Sequence, residues 1–227
     1  MRAELVSNNI NNFIKVLYLV VFQCVSYVHA GSFEDFFKAV ADDRPQTVMQ
    51  LLERGFDPNT IDENGQAAVL VAQARESYKV LDQLILWPDT RVEVRNSADE
   101  SVLMLAAIKG QLSRCQVLIE RGADVNKTGW TPLHYAATGG HVEVIRLLLE
   151  HHAYIDAGSP NGSTPLMMAA RYGNASAVKL LLEEGADPSL KNEQGMNAWD
   201  FADGVGRVES ANIISAFLRA RQPRGKW

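Results

Sequence analysis

The sequence predicts an all-α solenoid: stacked helix-turn-helix units joined by hairpin loops, five repeats in number, followed by a divergent C-terminal cap. Three observations predict it. First, GWTPLHYAATGGHVEVIRLLLEHHAYID superimposes on GSTPLMMAARYGNASAVKLLLEEGADPS with Thr131 on Thr164, a shift of 33, and self-similarity at such a period is the signature of a repeat array. Second, the aligned segments open with Thr131-Pro132 and Thr164-Pro165. A hydroxyl there caps a helix, and proline is harmless in a first turn because its missing N–H would have had no intrahelical partner. Third, Gly110, Gly140 and Gly173 follow the first helix of their units, and Gly55, Gly122 and Gly185 follow the second. Glycine takes the left-handed turn that ends a helix.

The elements follow in order. Val16 to Val28 is an apolar run broken only by Gln23 and Ser26, too short for the roughly 20 residues of a membrane helix. With Arg2 and Lys15 upstream and Val28-His29-Ala30 behind it, it has the form of an export signal. Residues 1–30 are therefore expected to be a signal peptide cleaved after Ala30. An uncleaved leader serving as a single membrane anchor is the alternative, and the polar stretch holding Asn8, Asn9, Asn11 and Asn12 is long for such a leader. The repeat domain is expected over 31–222, with units at about 34–66, 67–100, 101–130, 131–163, 164–196 and 197–222, and a basic tail at 223–227.

In the first unit Asp42 and Asp43 replace the glycine turn, and Phe36 and Phe37 add bulk suited to an N-terminal cap. The second unit has Ala67-Ala68 in place of Thr-Pro, Glu76 in place of glycine, and Trp87-Pro88-Asp89 at the end of its second helix, so it is expected to be the least regular. The third places Cys115 at the inward position that Ile145 and Val178 hold in later units. It reads as a small buried hydrophobe. The loop Asn126 to Trp130 is three residues short, which predicts a clipped tip with Trp130 displayed near it. In the fourth unit Leu133, Ala136 and Ala137 face inward on one helix and Val144, Ile145, Leu148 and Leu149 on the other. The sixth unit keeps Ile213, Ile214, Phe217 and Leu218 but loses the spacing after Gly206.

Thr131-Pro132-Leu133-His134, the Ala136-Ala137 pair and the Gly122-Ala123-Asp124 and Gly185-Ala186-Asp187 turns resemble those of ankyrin-repeat proteins, in particular small exported bacterial members. The resemblance covers essentially everything after the leader. It implies that His134 ties neighbouring hairpin backbones together and that His141 follows the turn between helices, both as structural groups. It also implies that the chain binds another protein through its hairpin tips and the exposed side of the first helices, which form a concave face. Carried over position by position, that face holds Glu63, Asn64, Gln66, Arg75, Glu100, Ile108, Lys109, Lys127, Trp130, Thr138, Asn161, Ser163, Arg171, Tyr172, Glu193, Gln194 and Met196. The expected partner-binding residues are Trp130, Arg171, Tyr172, Lys109, Arg75 and Asn161, because aromatic and arginine side chains carry most interface energy.

Composition is that of an ordinary globular chain, 47% hydrophobic and 22% charged, which excludes wholesale disorder and a collagen-like repeat. A net charge of −5 gives no basic field to gather nucleic acid. If the leader leaves with Cys24, Cys115 is the remaining cysteine; no internal disulfide or cysteine-rich metal site follows. His151 and His152 with Asp156 lack a third ligand at a suitable spacing, and Gly204-Val205-Gly206 is a loop rather than a phosphate cradle. No catalytic, cofactor or metal site is expected. The asparagines of Asn126-Lys127-Thr128, Asn161-Gly162-Ser163 and Asn174-Ala175-Ser176 stand in glycosylation triplets. The sequence thus points to an exported, monomeric, non-enzymatic protein-binding module, in a periplasm or secreted, free of the membrane after cleavage. A tethered scaffold, a secreted effector and a metal-dependent hydrolase are the rivals.

Overall fold

The computed structural model describes residues 31–221; the leader with its cleavage site and the tail at 223–227 lie outside the described residues. Among the described residues twelve helices form six successive pairs: α1 (31–41) with α2 (Pro45–Glu53), α3 (Ala68–Arg75) with α4 (Tyr78–Leu86), α5 (Val102–Ile108) with α6 (Leu112–Glu120), α7 (Pro132–Gly139) with α8 (Val142–Glu150), α9 (Pro165–Arg171) with α10 (Ala175–Glu183), and α11 (Ala198–Asp203) with α12 (Val208–Arg221). Most are too short to persist alone in water, so packing holds them. The chain divides into two compact units between Gln83 and Leu84.

In the first unit α1 buries Phe36, Ala39 and Val40, and the Phe36 ring lies 4.4 Å from that of Phe56. Asp43 takes the left-handed turn expected of a glycine (φ 50°), and its carboxylate also accepts from the Val80 amide at 2.9 Å. The second pair departs from the pattern as the sequence implies. Ala67 precedes α3 with no side-chain cap, and Glu76 supplies the left-handed turn at φ 59°.

In the second unit the inner helices α5, α7, α9 and α11 pack in chain order, and the outer helices α6, α8, α10 and α12 pack likewise behind them. The fully buried pairs Ala106-Ala107, Ala136-Ala137 and Ala169-Ala170 let the inner helices approach closely. Behind them Cys115, Leu118, Ile145, Leu148, Val178 and Leu181 are completely buried. Each such leucine or isoleucine contributes roughly 1.5–3 kcal/mol through the apolar surface it removes from water. Burial pushes the Cys115 thiol up to about 12, so it is a neutral apolar group. Thr131 and Thr164 cap α7 and α9 as the sequence predicts, and Ser101 and Asn197 do the same for α5 and α11: each accepts the amide of the residue three further on.

Hairpin loops reduce to tight turns, with isolated bridges at Ile61 with Ala67 and Arg95 with Ser101. In three of the turns one side chain organises the tip. Asp62 accepts from the amides of Asn64 and Gln66, Asn96 from those of Ala98 and Glu100, and Asn192 from those of Gln194 and Met196. Asn126 stands at the matching place in the shortened loop, five residues before its cap, but no tip remains for it to organise. Its amide turns to the next loop instead, donating to His152 O at 2.8 Å and accepting from Tyr154 N at 2.9 Å.

A second seam runs along the turns between paired helices. In the first unit Ser77 donates to Ala41 O. In the second, His141 Nε2 meets Ile108 O at 2.9 Å, Asn174 Nδ2 donates to Gly140 O at 2.9 Å, and Arg207 donates to Gly173 O and Tyr172 O. One glycine differs from expectation. Gly110 and Gly140 are left-handed (φ 68° and 70°), but Gly173 is not. It is glycine because a Cβ there would meet Ala137 O at 2.4 Å, and Asn174 caps α10 with its own side chain. At the ends of the outer helices Gly55, Gly122 and Gly185 are left-handed as expected, and His152 occupies the same turn at φ 64°.

Candidate functional site

Three consecutive inner helices place their outward residues around one hollow of about 220 Å³, lined by Ile108, Trp130, Tyr135, Thr138, Met168 and Tyr172. Ile108 ends α5, Tyr135 and Thr138 lie on α7, Met168 lies on α9 and Tyr172 follows it. Trp130 stands just before the Thr131 cap, at the base of the clipped loop, with its ring edge-to-face on His134 at 5.3 Å. Trp130 is 36% and Tyr172 53% exposed, so two large aromatic surfaces face solvent side by side.

The histidine against which Trp130 packs is held at both ring nitrogens. His134 is fully buried, its Nδ1 within 3.2 Å of Thr131 N and 2.9 Å of Thr131 Oγ1, and its Nε2 2.9 Å from Ser163 O. It links its own cap to the next hairpin, the role the resemblance implies. An amide donating to Nδ1 fixes the tautomer with hydrogen on Nε2. Burial drives the imidazole down to about 4, against smaller opposing effects from the Ser163 and Ala157 backbone, so it is neutral in the fold. The hydroxyls lining the hollow are engaged too. Thr138 donates to His134 O at 2.8 Å, Tyr135 donates to Glu100 at 2.8 Å, and the Tyr172 hydroxyl accepts from Arg171 Nε at 3.0 Å. Burial, and then the neighbouring Glu100 carboxylate, hold the Tyr135 phenol well above its ordinary range. What the hollow shows to solvent is chiefly carbon.

The expected site residues divide. Trp130 and Tyr172 come together in the hollow. Arg171 lies beside it, its guanidinium carbon 5.4 Å from the Tyr172 ring centroid and 5.9 Å from that of Phe201. Lys109 is exposed directly after Ile108, at the end of α5. Arg75 is exposed at the end of α3 in the first unit and is not among the residues that line the hollow. Asn161 is a turn residue. Its side-chain oxygen accepts from Ser159 Oγ at 2.7 Å and Ser163 N at 3.3 Å, and its carbonyl accepts from Glu193 N at 3.0 Å. Lys127, carried over as a surface position, has a side chain only 6% exposed and pairs with Asp99. The asparagines of all three glycosylation triplets likewise use their amides to hold the fold.

Tyr135 and Met168 were missed as site residues. The repeat frame itself carries the signal: Leu105, Tyr135, Met168 and Phe201 occupy one aligned column, large and apolar on the outward side of successive inner helices. Among the described residues no three histidine, cysteine or acidic side chains converge as metal ligands, and no helix is long and apolar enough to cross a membrane.

The comparisons with known proteins agree with this architecture. The family model described as ankyrin repeats (3 copies) matches residues 36–128, 69–159 and 103–192. The mouse B-cell lymphoma 3 protein homolog is 32% identical over 161 residues, 68% of this chain and 36% of that protein. Mouse 2-5A-dependent ribonuclease is 44% identical over 69 residues, 29% of this chain and 9% of the relative. The chain therefore spans about a third or less of these curated relatives. Among solved structures, an ankyrin repeat domain of Acinetobacter baumannii AYE superimposes with a TM-score of 0.71 at 27% identity, covering 80% of this chain and 96% of that one. A chain from the complex of the Bdellovibrio bacteriovorus predatory endopeptidase Bd0816 with immunity protein Bd3460 gives 0.70 at 24% identity, covering 80% and 97%, a likeness of fold alone. Ankyrin repeats are a protein-protein interaction module, and with a family model running from residue 36 to residue 192 of a 227-residue chain, this protein belongs to the ankyrin-repeat family.

Proposed function

We propose that this chain is an exported, non-enzymatic module that binds a partner protein on the outward side of α5, α7 and α9, with Trp130, Tyr172 and Arg171 as the principal contacts. The observation that carries the reading is the hollow itself, which brings together two exposed aromatic rings from separate repeats, with the guanidinium of Arg171 beside one of them. Aromatic and arginine side chains grouped together are what interface hot spots are made of. Export rests on the leader: a short apolar run, basic residues before it and Val28-His29-Ala30 behind it. A periplasmic destination is favoured and secretion is the second reading. The module is proposed to act as a monomer without cofactor or metal.

Replacing Trp130, Arg171 and Tyr172 together by alanine is expected to weaken partner capture by about 2 kcal/mol or more, the scale of a hot-spot loss, with helical content and the melting transition unchanged. Partner recovered by affinity purification from the native compartment serves as the probe. Equal capture by the triple variant would move the binding surface elsewhere. Sequencing the mature N-terminus tests export: Gly31 as first residue supports cleavage, and Met1 on a membrane-bound protein supports the tethered scaffold.

A further inference from the structure

The hollow between α5, α7 and α9 says more about its occupant than that it is a protein. At about 220 Å³ it is smaller than the roughly 300–1,000 Å³ of a pocket that encloses a drug-sized ligand. Its hydroxyls are already engaged inside the chain, so a polar group entering it would lose hydrogen bonds to water without replacing them all. Charge at the margin is uneven. On the α5 side the Glu100 carboxylate is taken up by the Tyr135 hydroxyl and by Asn96 Nδ2, both at 2.8 Å. On the α9 side Arg171 gives its Nε to the Tyr172 hydroxyl, and among the described residues no carboxylate forms an ion pair with its guanidinium. Holding the guanidinium by its Nε to the Tyr172 hydroxyl fixes its direction, and its planar fork suits a carboxylate.

We propose that the hollow takes a single apolar side chain of the partner, leucine, methionine or phenylalanine in kind, and that a carboxylate close to it in the partner's sequence meets Arg171. This rests on the binding face proposed above and specifies what that face selects. Apolar burial supplies the affinity, and the acidic neighbour supplies orientation, because charge complementarity contributes more to specificity than to strength.

Random peptides displayed on phage, selected on the full chain, are the probe. The expected consensus is one large apolar residue with aspartate or glutamate close by. Thr138→Leu narrows the hollow and is expected to weaken the selected peptides by about tenfold or more, each tenfold being 1.4 kcal/mol. Arg171→Glu, a partly exposed change whose fold is checked by circular dichroism, is expected to turn the neighbouring preference from acidic to lysine or arginine. Four outcomes overturn the proposal: no enrichment, a consensus without an apolar anchor, peptides that bind the Thr138→Leu protein equally well, or an acidic preference that survives Arg171→Glu. Apolar-acidic peptides that bind the Trp130, Arg171 and Tyr172 triple variant unchanged would instead refute the binding face itself.

Discussion

A buried histidine that must stay neutral makes the fold sensitive to acid. His134 titrates near 4 in the folded chain because burial disfavours the imidazolium, and near 6.5 when unfolded. Below pH 6.5 the unfolded chain takes up the proton and the native one does not. Stability therefore falls as pH drops from about 6.5 towards 4 and is level in this respect above pH 7. Between pH 7 and pH 5 the loss attributable to this residue is about 2 kcal/mol, measurable as a shift in the urea midpoint. Met104 and Met167 hold the same position beside the caps Ser101 and Thr164 with a sulfur acceptor. His134→Met is therefore expected to remove this part of the pH dependence while keeping the cap, and an unchanged acid slope would assign the titration elsewhere. His152 offers the opposite case. It pays for a left-handed turn that Gly122 and Gly185 make freely, so His152→Gly should raise stability by about 1 kcal/mol, read from the same denaturation curve. Its contact with Asn126 runs through the carbonyl and survives the change.

At the level of single elements, the end of α4 shows what replaces a missing turn signal. The chain there reads Trp87-Pro88-Asp89 where other outer helices reach a left-handed residue, and Arg121 reaches across from the end of α6 to donate to the carbonyls of Ile85, Trp87, Pro88 and Thr90. A planar fork can serve several carbonyls at once; an ammonium cannot hold the same geometry. Arg121→Met is expected to cost about 2 kcal/mol, from hydrogen bonds made by a charged donor, and Arg121→Lys to recover only part of it. Full recovery by lysine in equilibrium unfolding would show that charge, rather than geometry, is what matters. This contact was not legible in the sequence, since nothing in an arginine 31 residues beyond Thr90 announces that it caps another helix. The helix starts at Thr131 and Thr164 were legible, because capping is local and its residues adjoin the helix they serve. Gly173 was legible as a glycine but not for its reason: close approach to Ala137 O is a tertiary fact. At the hollow, Trp130 and Tyr172 were accessible to reasoning from exposure and residue type, but Tyr135 and Met168 required comparing columns across repeats.

At the scale of the whole stack, each helix pair of the second unit is packed against its neighbours, so opening should begin at an end of that stack and finish in its middle. In the second unit, hydrogen exchange is expected to be fastest in the last turns of α12, where Arg219 to Arg221 are exposed, and slowest in α7, whose Leu133, Ala136 and Ala137 are completely buried. Uniform protection across α5 to α12 would show that the unit opens in a single step. The seam of turn donors bears on how such a stack finds its order. Ser77, His141, Asn174 and Arg207 occupy equivalent places yet differ in length, charge and donor geometry, and each fits the carbonyls of the repeat before it. A chain folding one repeat out of register would set a short amide where a guanidinium makes the contact, or a ring where an amide makes it. Repeats alike enough to be exchanged in their helices are thus given individual addresses at their junctions, and a circular or shuffled arrangement of the same repeats would have to rewrite them.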